Sequence, residues 1–231
     1  MCTGGEMEPE LNVKEVPFEA KILSAITNAR NDRSKKQSHV MIKKSRFDQY
    51  DEEARVSKVK FTDKEFAPNE KSLNFRIPGR EITWERVGEM VPNCVMVEDD
   101  FSPNDIQQGN IGDCYFLSSI AALAMDEDRI ESIFHNNFKV NENGIYNIVV
   151  VQSGVPTEMV IDDYIPVFAD TKRPVFCKAP GREIWVVLLE KAWAKLKGSY
   201  GDISAGCPHE VLQTFNVAPC YYYQIENDTH E

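Results

Sequence analysis

Two segments of the chain carry a dense apolar pattern with helical spacing. Cys114–Met125 (CYFLSSIAALAM) is apolar nearly all round, which predicts a helix buried in a core. Asp113 is its predicted N-cap, and Gly112 permits a tight turn into the helix. A second helix is predicted over Glu183–Lys197 (EIWVVLLEKAWAKLK), because this segment has one broad apolar face and is followed by Gly198.

Between these helices the pattern changes to short runs rich in β-branched and aromatic residues. Asn143-Gly144 separates Phe138–Val140 from Ile145–Val151, and this arrangement predicts a β-hairpin. Glu158–Ile161 is predicted to form a further strand, and Glu210–Phe215 a weaker helix.

Residues 1–59 differ in pattern from the remainder of the chain. Phe18–Arg30 predicts a short amphipathic helix, and Arg30–Arg46 carries seven basic residues against one acid, Asp32. A solvated linker is the plainer interpretation of the basic stretch. The alternative is a polybasic patch for acidic lipid or an acidic partner, with Cys2 as a palmitoylation site.

The composition excludes several classes of protein. With 42% hydrophobic and 10% aromatic residues, the 231-residue chain can bury a core, so it is not disordered as a whole. A formal net charge of −11 argues against binding to nucleic acid. We see no apolar run of membrane-spanning length, no secretory signal and no C-x-x-C pair among the six cysteines. We therefore expect reduced thiols and a cytoplasmic protein.

The segment Gln107–Leu117 places a thiol at the start of the first predicted helix. There the unpaired backbone N–H groups and the helix dipole favour a thiolate at Cys114, which is the reactive form of a cysteine nucleophile. Gln108, six residues earlier, can direct its side-chain N–H, together with the Cys114 N–H, at a developing oxyanion. A lone cysteine at a helix start is more often structural, so its position alone leaves both interpretations open.

The sequence Gln108–Leu117 (QGNIGDCYFL) closely resembles the nucleophile motif of the calpain family of calcium-dependent cysteine proteases, Q-G-x-[LI]-G-[DN]-C-[WY]. The resemblance implies that Cys114 is the nucleophile and Gln108 the oxyanion-hole donor. Four further segments resemble the family: Phe61–Phe66 (FTDKEF), Ile82–Arg86 (ITWER), Val160–Pro166 (VIDDYIP) and Leu188–Tyr200 (LLEKAWAKLKGSY).

Together these segments cover about residues 60–215. The resemblance implies an α+β fold, the papain-like calpain core, of which this chain holds the first lobe: a buried central nucleophile helix, further helices and a small antiparallel sheet. We expect an N-terminal extension over 1–59, lobe 1 over 60–200, and the beginning of lobe 2 or a C-terminal tail over 201–231. The second lobe is expected to be largely absent.

The resemblance also implies calcium as the cofactor. Asp105 and Glu183 match the family's side-chain carboxylate ligands, and Glu98 and Asp100 match its backbone carbonyl donors. Oxygen-only ligation is what calcium prefers. The sequence has no EF-hand loop, so a calcium response would come from the core itself.

The sequence departs from the family where a general base is needed. A cysteine protease requires a histidine base and a third group to orient it. The motifs G-H-A-[YF] and N-P-W-G, which carry the family's histidine and asparagine, are absent, and only 117 residues follow Cys114. His135, His209 and His230 stand in other contexts.

Two hypotheses therefore remain open. One is a calpain-type endopeptidase acting on protein substrates, present here as an incomplete catalytic core, either because the sequence is part of a longer chain or because a partner chain supplies the second lobe. The other is a non-catalytic calpain-like module that binds a protein partner, including one on the cytoskeleton. An intact pair of Cys114 and Gln108 favours descent from an active enzyme.

Overall fold

The structure is a computed structural model that describes residues 45–98, 101, 106–134, 138–179, 181–216, 219–221 and 223. Several sequence predictions lie outside these residues: the helix over 18–30, Cys2 and most of the basic stretch, and also Asp100, Asp105 and His135. The chain separates into two compact units, Met1–Ser45 and Arg46–Glu231. The description below concerns the second unit.

Within the described residues, this unit has seven α-helices, four strands and one 3-10 helix. The helices are α1 (Arg46–Ser57), α2 (Glu70–Leu73), α3 (Val87–Met90), α4 (Cys114–Leu123), α5 (Glu127–Ile133), α6 (Trp185–Lys197) and α7 (Pro208–Phe215). The strands are β1 (Ile82–Arg86), β2 (Ile145–Gln152), β3 (Val155–Asp162) and β4 (Tyr164–Phe168), and the 3-10 helix is Gly201–Ile203. This is an α+β fold, as the sequence predicted.

The strands form two small antiparallel sheets. Strand β1 pairs with β4, with Trp84 opposite Pro166, and β2 pairs with β3, with Ile148 opposite Met159. The predicted pairing of 138–140 with 145–151 is wrong, because the partner of β2 is β3. The two-residue turn between β2 and β3 is Ser153-Gly154, whose φ values of 50° and 76° are those that a tight hairpin of this kind requires.

The Asn143-Gly144 pair forms a turn with a different role, at the start of β2. Gly144 has a φ of 65°, and a Cβ built on it would lie 2.6 Å from both Arg86 Nη1 and Asp163 Oδ1. Arg86 and Asp163 form a buried ion pair. Gly144 is therefore needed because only a residue without a side chain lets the backbone pass beside the ion pair of Arg86 and Asp163. This turn leads into β2 and does not join two strands.

Helix α6 lies at the centre of the core, since every residue from Trp185 to Ala194 is buried. Trp193 stacks on Phe116 of α4 with ring centroids 5.9 Å apart, and its Nε1 donates a hydrogen bond of 2.9 Å to Tyr115 Oη. The broad apolar face predicted for α6 thus packs against α4. The sequence prediction placed both helices to within two residues at each end, and Gly198 ends α6 with a φ of 116°.

Buried charges connect α6 to the hairpin. Lys191 is fully buried, and its Nζ donates hydrogen bonds to Asp162 and to the Tyr164 carbonyl. Burial lowers the pKa of Lys191, while the neighbouring Asp162 opposes that shift. One turn later, Lys195 Nζ lies 2.7 Å from Asp63 Oδ2. These pairs anchor α6 against both β3 and the segment that precedes α2.

Helix α1 covers the outer side of the hairpin. Its Phe47 is buried with Ile145 and Val160 in a small apolar cluster separate from the main core. Asp51 accepts hydrogen bonds from the side chains of Asn141 and Asn143, at 3.0 and 2.8 Å. Sequence reasoning missed this helix because it lies within the predicted extension and carries few apolar residues.

Candidate active site

The nucleophile loop, residues 106–113, is held against the segment 174–178 by main-chain hydrogen bonds. Gln107 and Lys178 exchange two of these bonds, at 2.9 and 3.0 Å. Asn110 N donates to the Val175 carbonyl at 3.0 Å, and Asn110 Nδ2 donates to the same oxygen at 2.8 Å. The loop that leads to the predicted nucleophile is therefore fixed by the core.

Both glycines of the predicted motif permit a close approach of backbone. A Cβ built on Gly109 would overlap the Phe176 carbonyl and lie 2.6 Å from Phe176 Cα. A Cβ on Gly112 would lie 2.6 Å from the Ser204 carbonyl oxygen. Because real Cβ atoms do not approach other atoms this closely, any side chain at either position would displace the loop.

Cys114 is the first residue of α4 and is exposed to solvent. The Asp113 carbonyl accepts hydrogen bonds from Phe116 N at 2.8 Å and Leu117 N at 3.1 Å, which begins the helix. Asp113 is the N-cap residue of α4, as predicted, but its carboxyl group makes no cap bond with the helix and is fully buried. The thiol thus stands at the positive end of a buried helix with no capping carboxylate beside it.

Gln108 lies in the same loop with its carboxamide turned toward the loop itself. Its Nε2 donates to the Ile111 carbonyl at 2.8 Å and to Asp113 Oδ1 at 3.4 Å. The two donor hydrogens of this amide therefore have partners. For Gln108 to donate to an oxyanion, one of these bonds must be released, and the longer one to Asp113 is the weaker.

Behind Cys114, the structure brings together two carboxyl groups that sequence reasoning did not connect. Asp113 lies within hydrogen-bonding reach of Glu190, from the centre of α6, and both are buried. Glu190 Oε1 also accepts from Cys177 N at 3.0 Å. Burial raises the pKa of Asp113 and that of Glu190, each above its ordinary value. The signal in the sequence was an acid, Glu190, on the buried segment Trp185–Ala194, which was predicted to have a broad apolar face.

Two of the four predicted metal-binding residues lie together in the described structure. Glu183 Oε1 accepts from Glu98 N at 2.9 Å, and Glu183 Oε2 accepts from Trp185 Nε1 at 3.2 Å. The Glu98 side chain pairs with Arg182 at 2.8 Å, so its carboxylate is engaged elsewhere, which suits the carbonyl role predicted for this residue. Both Glu183 oxygens thus already accept hydrogen bonds, and carboxylate and carbonyl oxygens are the type of donor that calcium prefers.

Asp100 and Asp105 lie outside the described residues, so the position of the other two predicted ligands is not described. Within the ranges that the structure does describe, no group of three or more His, Cys, Asp or Glu side chains is arranged to hold a metal ion. The same ranges contain no helix with the length and apolar character needed to cross a bilayer.

Comparison with known proteins identifies the family. Residues 61–231 match the model of the calpain family of cysteine proteases. Over 178 residues the chain is 34% identical to the mouse (Mus musculus) calpain-1 catalytic subunit, which covers 74% of this chain and 25% of the relative. It is 31% identical over 172 residues to calpain clp-4 of Caenorhabditis elegans, covering 73% of this chain and 24% of the relative.

The chain thus spans about a quarter of the length of the relatives it matches. The matched region contains the nucleophile loop, α4, both small sheets and the buried face of α6. On this evidence of sequence and structure together, the chain belongs to the calpain family of cysteine proteases.

Proposed function

We propose that this chain provides the nucleophile and the oxyanion-hole donors of a calpain-type cysteine endopeptidase. The observation that supports this most directly is the exposed Cys114 at the N-terminus of a buried helix, at the end of a loop that is fixed by the core. Helix N–H groups favour negative charge at this position, both on a thiolate and on an oxyanion.

In the proposed reaction the Cys114 thiolate attacks the carbonyl carbon of a peptide bond. A bond forms between Sγ and that carbon, and the carbonyl oxygen becomes an oxyanion that accepts hydrogen bonds from the Cys114 N–H and from Gln108 Nε2. The C–N bond then breaks as the leaving amine takes a proton from the general acid. Water hydrolyses the resulting thioester and restores the thiol.

These protons would be exchanged by a histidine base. The family motif that carries this histidine is absent from this sequence. We propose that it comes from a second lobe, carried either by a longer form of this chain or by a partner chain. Because the Gln108 amide is turned toward Ile111 and Asp113, substrate or the second lobe would also draw one of its N–H groups outward.

For calcium, the proposed ligands are the side-chain carboxylates of Glu183 and Asp105 and the backbone carbonyls of Glu98 and Asp100. When bound, the ion would offset the negative charge of these groups and hold their segments together. Isothermal titration with calcium should give heat with the wild-type chain and less with Glu183→Gln. An unchanged titration in that variant would remove Glu183 from the set.

A second candidate function is a calpain-like module that binds a protein partner without catalysis. Two large side chains near the end of the described residues favour it, since Tyr221 and Tyr223 are 77% and 82% exposed. Exposed aromatic groups of this size are typical of contact surfaces. A chain that stays monomeric at high concentration and retains no partner would contradict this function.

The experiment that tests the main proposal is intact-mass analysis with a peptidyl epoxide that alkylates activated thiols, with and without calcium. We expect the probe to label Cys114 faster than the other cysteines, and Cys114→Ala to lose that label. Cys207→Ala serves as the matched control, since Cys207 precedes α7 and lies outside the nucleophile loop. Equal labelling of Cys114 and Cys207 would refute an activated nucleophile.

A further inference from the structure

The two buried carboxyl groups behind Cys114 would repel each other if both were negatively charged. Asp113 is fully buried and Glu190 is 2% exposed. If both were ionised, two negative charges would lie within hydrogen-bonding reach of each other at a buried site. Two carboxyl groups this close together do not both remain ionised. One of the two must therefore hold a proton or find a cation.

Among the residues that the structure describes, no Lys, Arg or His forms an ion pair with either carboxyl group. Lys191, the neighbour of Glu190 in the chain, bonds to Asp162 and to the Tyr164 carbonyl instead. Within the described part of the chain the pair therefore has no cation to neutralise it, and a proton is the remaining source of positive charge there.

The hydrogen-bond inventory points to the same conclusion. Asp113 Oδ1 accepts from Gln108 Nε2, but Asp113 Oδ2 is buried with no donor when both groups are counted as carboxylates. A buried acceptor without a donor is costly. One proton on Glu190 removes that cost, because the protonated group donates to Asp113 while its Oε1 still accepts from Cys177 N.

The groups around this pair are neutral, and a small cavity adjoins it. Cys177 of the segment 174–178 and Tyr200, which precedes the 3-10 helix, line one cavity with Glu190, and Tyr115 of α4 interacts electrostatically with Asp113. All three are neutral acids whose pKa is raised by burial. Beside Glu190 lies a cavity of about 10 Å³, lined in part by Cys177 and Tyr200, with room for about one water molecule.

We propose that Asp113 and Glu190 share a single proton at neutral pH, and that this pair positions the Gln108 carboxamide. The relevance of this pair to catalysis rests on the proposed function, but the shared proton itself does not. With the proton shared, Asp113 carries less charge and its 3.4 Å bond from Gln108 stays weak, so one N–H of Gln108 can be drawn to an oxyanion. When the proton is lost, the charged Asp113 holds that amide inward. Asp113 and Glu190 are thus positioning residues that act through Gln108.

Carboxyl carbon NMR on the full chain tests this directly. In the wild type, the Asp113 and Glu190 carboxyl carbons should titrate together, with a midpoint above the ordinary carboxyl range. The Gln108 side-chain amide resonance, assigned with Gln108→Ala, should shift with the same midpoint. Two independent titrations in the ordinary range, or a Gln108 amide that does not follow the pair, would overturn the proposal.

Glu190→Gln separates positioning from mere packing. Its amide can donate permanently to Asp113 Oδ2 and its oxygen can still accept from Cys177 N, so we expect a folded protein in which the Gln108 amide no longer titrates at that midpoint. Glu131→Gln, at an exposed position of α5, is the matched control and should titrate as the wild type does. Should Glu190→Gln not fold, Asp113→Asn makes the same test, since its amide can donate to Glu190.

The outcome does not depend on whether the chain is a protease. If epoxide labelling finds no activated Cys114 but the carboxyl carbons titrate as one, the proposed function fails and the shared proton stands. If Cys114 is labelled rapidly but the two carboxyl groups titrate separately, the shared proton fails alone.

Discussion

Replacing Gly109 by alanine should dislodge the nucleophile loop, because the space for a side chain is occupied by backbone. The new Cβ would overlap the carbonyl of Phe176 and lie 2.6 Å from its Cα, where real Cβ contacts stay beyond 3.0 Å. No flexible side chain can move aside to relieve this overlap. The loop must therefore lift from the segment 174–178.

The size of the effect follows from what that movement breaks. Gln107 and Lys178 lose two main-chain hydrogen bonds, and Asn110 and Val175 lose a third. At about 0.5–1.5 kcal/mol for each bond, and about 1–3 kcal/mol for the overpacking, we expect Gly109→Ala to lower the free energy of unfolding by about 3 kcal/mol or more.

Gly88→Ala is the matched control for this substitution. Its nearest neighbours would be Asp163 Oδ2 at 3.9 Å and Cys94 Sγ at 4.0 Å, which are ordinary contacts. Because alanine also reduces the entropy of the unfolded chain, this variant should be unchanged or more stable by about 0.4–1 kcal/mol.

Urea unfolding followed by tryptophan fluorescence measures both variants, and epoxide labelling of Cys114 reports the loop itself. We expect Gly109→Ala to unfold at lower urea and to lose rapid labelling, while Gly88→Ala keeps both properties. If Gly109→Ala unfolds within 1 kcal/mol of the wild type and labels at the same rate, the loop is not held by the contact with Phe176.

Three further predictions use the same unfolding assay. Lys191→Met should lower stability by about 3–5 kcal/mol, because it leaves a buried carboxylate without its cation; a loss below 1 kcal/mol would contradict this. Tyr115→Phe should cost about 1–3 kcal/mol, since Trp193 Nε1 loses its buried acceptor; wild-type stability would mean that another acceptor takes over. Arg46 lowers the pKa of Glu65, so this carboxylate stabilises the fold at neutral pH and that contribution is lost as the pH falls through its folded pKa. Because both groups are exposed, Glu65→Gln should cost under about 1 kcal/mol at neutral pH and nothing in acid; an equal loss at both pH values would refute the electrostatic origin.

The pH dependence of the carboxyl pair runs in the opposite direction. Burial raises the pKa of Asp113 and of Glu190 above their ordinary values, so the pair's contribution to stability is present at low pH and is lost as the pH rises through the folded pKa. The difference in unfolding free energy between wild type and Glu190→Gln should therefore change as the pH rises. A difference that stays constant with pH would show that the pair does not titrate in that range.

The helices α4 and α6 could be predicted because each carries its own pattern of apolar residues. The hairpin was predicted with the wrong partner, because Asn143-Gly144 has the residues of a tight turn while the turn of β2 and β3 uses Ser153-Gly154. What separates the two turns is tertiary: Gly144 makes room for the Arg86 and Asp163 pair. A local sequence pattern carries no information about that contact.

The candidate site divides in the same way. Cys114 and Gln108 could be found because one continuous motif contains both, with the glycines that permit its close contacts. The partnership of Asp113 with Glu190 joins two helices far apart in sequence, so only the packing of α4 on α6 reveals it. The sequence predicted a capping role for Asp113, and the fold turns this side chain inward.

The arrangement of these contacts indicates which parts of the proposed active site are complete within this lobe. The position of Cys114 depends on Gly109, Gly112 and the main-chain bonds to 174–178, all of which are made inside the described unit. Cys114 is therefore positioned by contacts within the described unit, including the contact of Gly112 with Ser204. The Gln108 amide is different, because both of its donor hydrogens already have partners in its own loop. On the proposed function, a second lobe would have to provide the general base and also compete with Asp113 for one N–H of Gln108. On the same proposal, activity would therefore depend on assembly with that lobe.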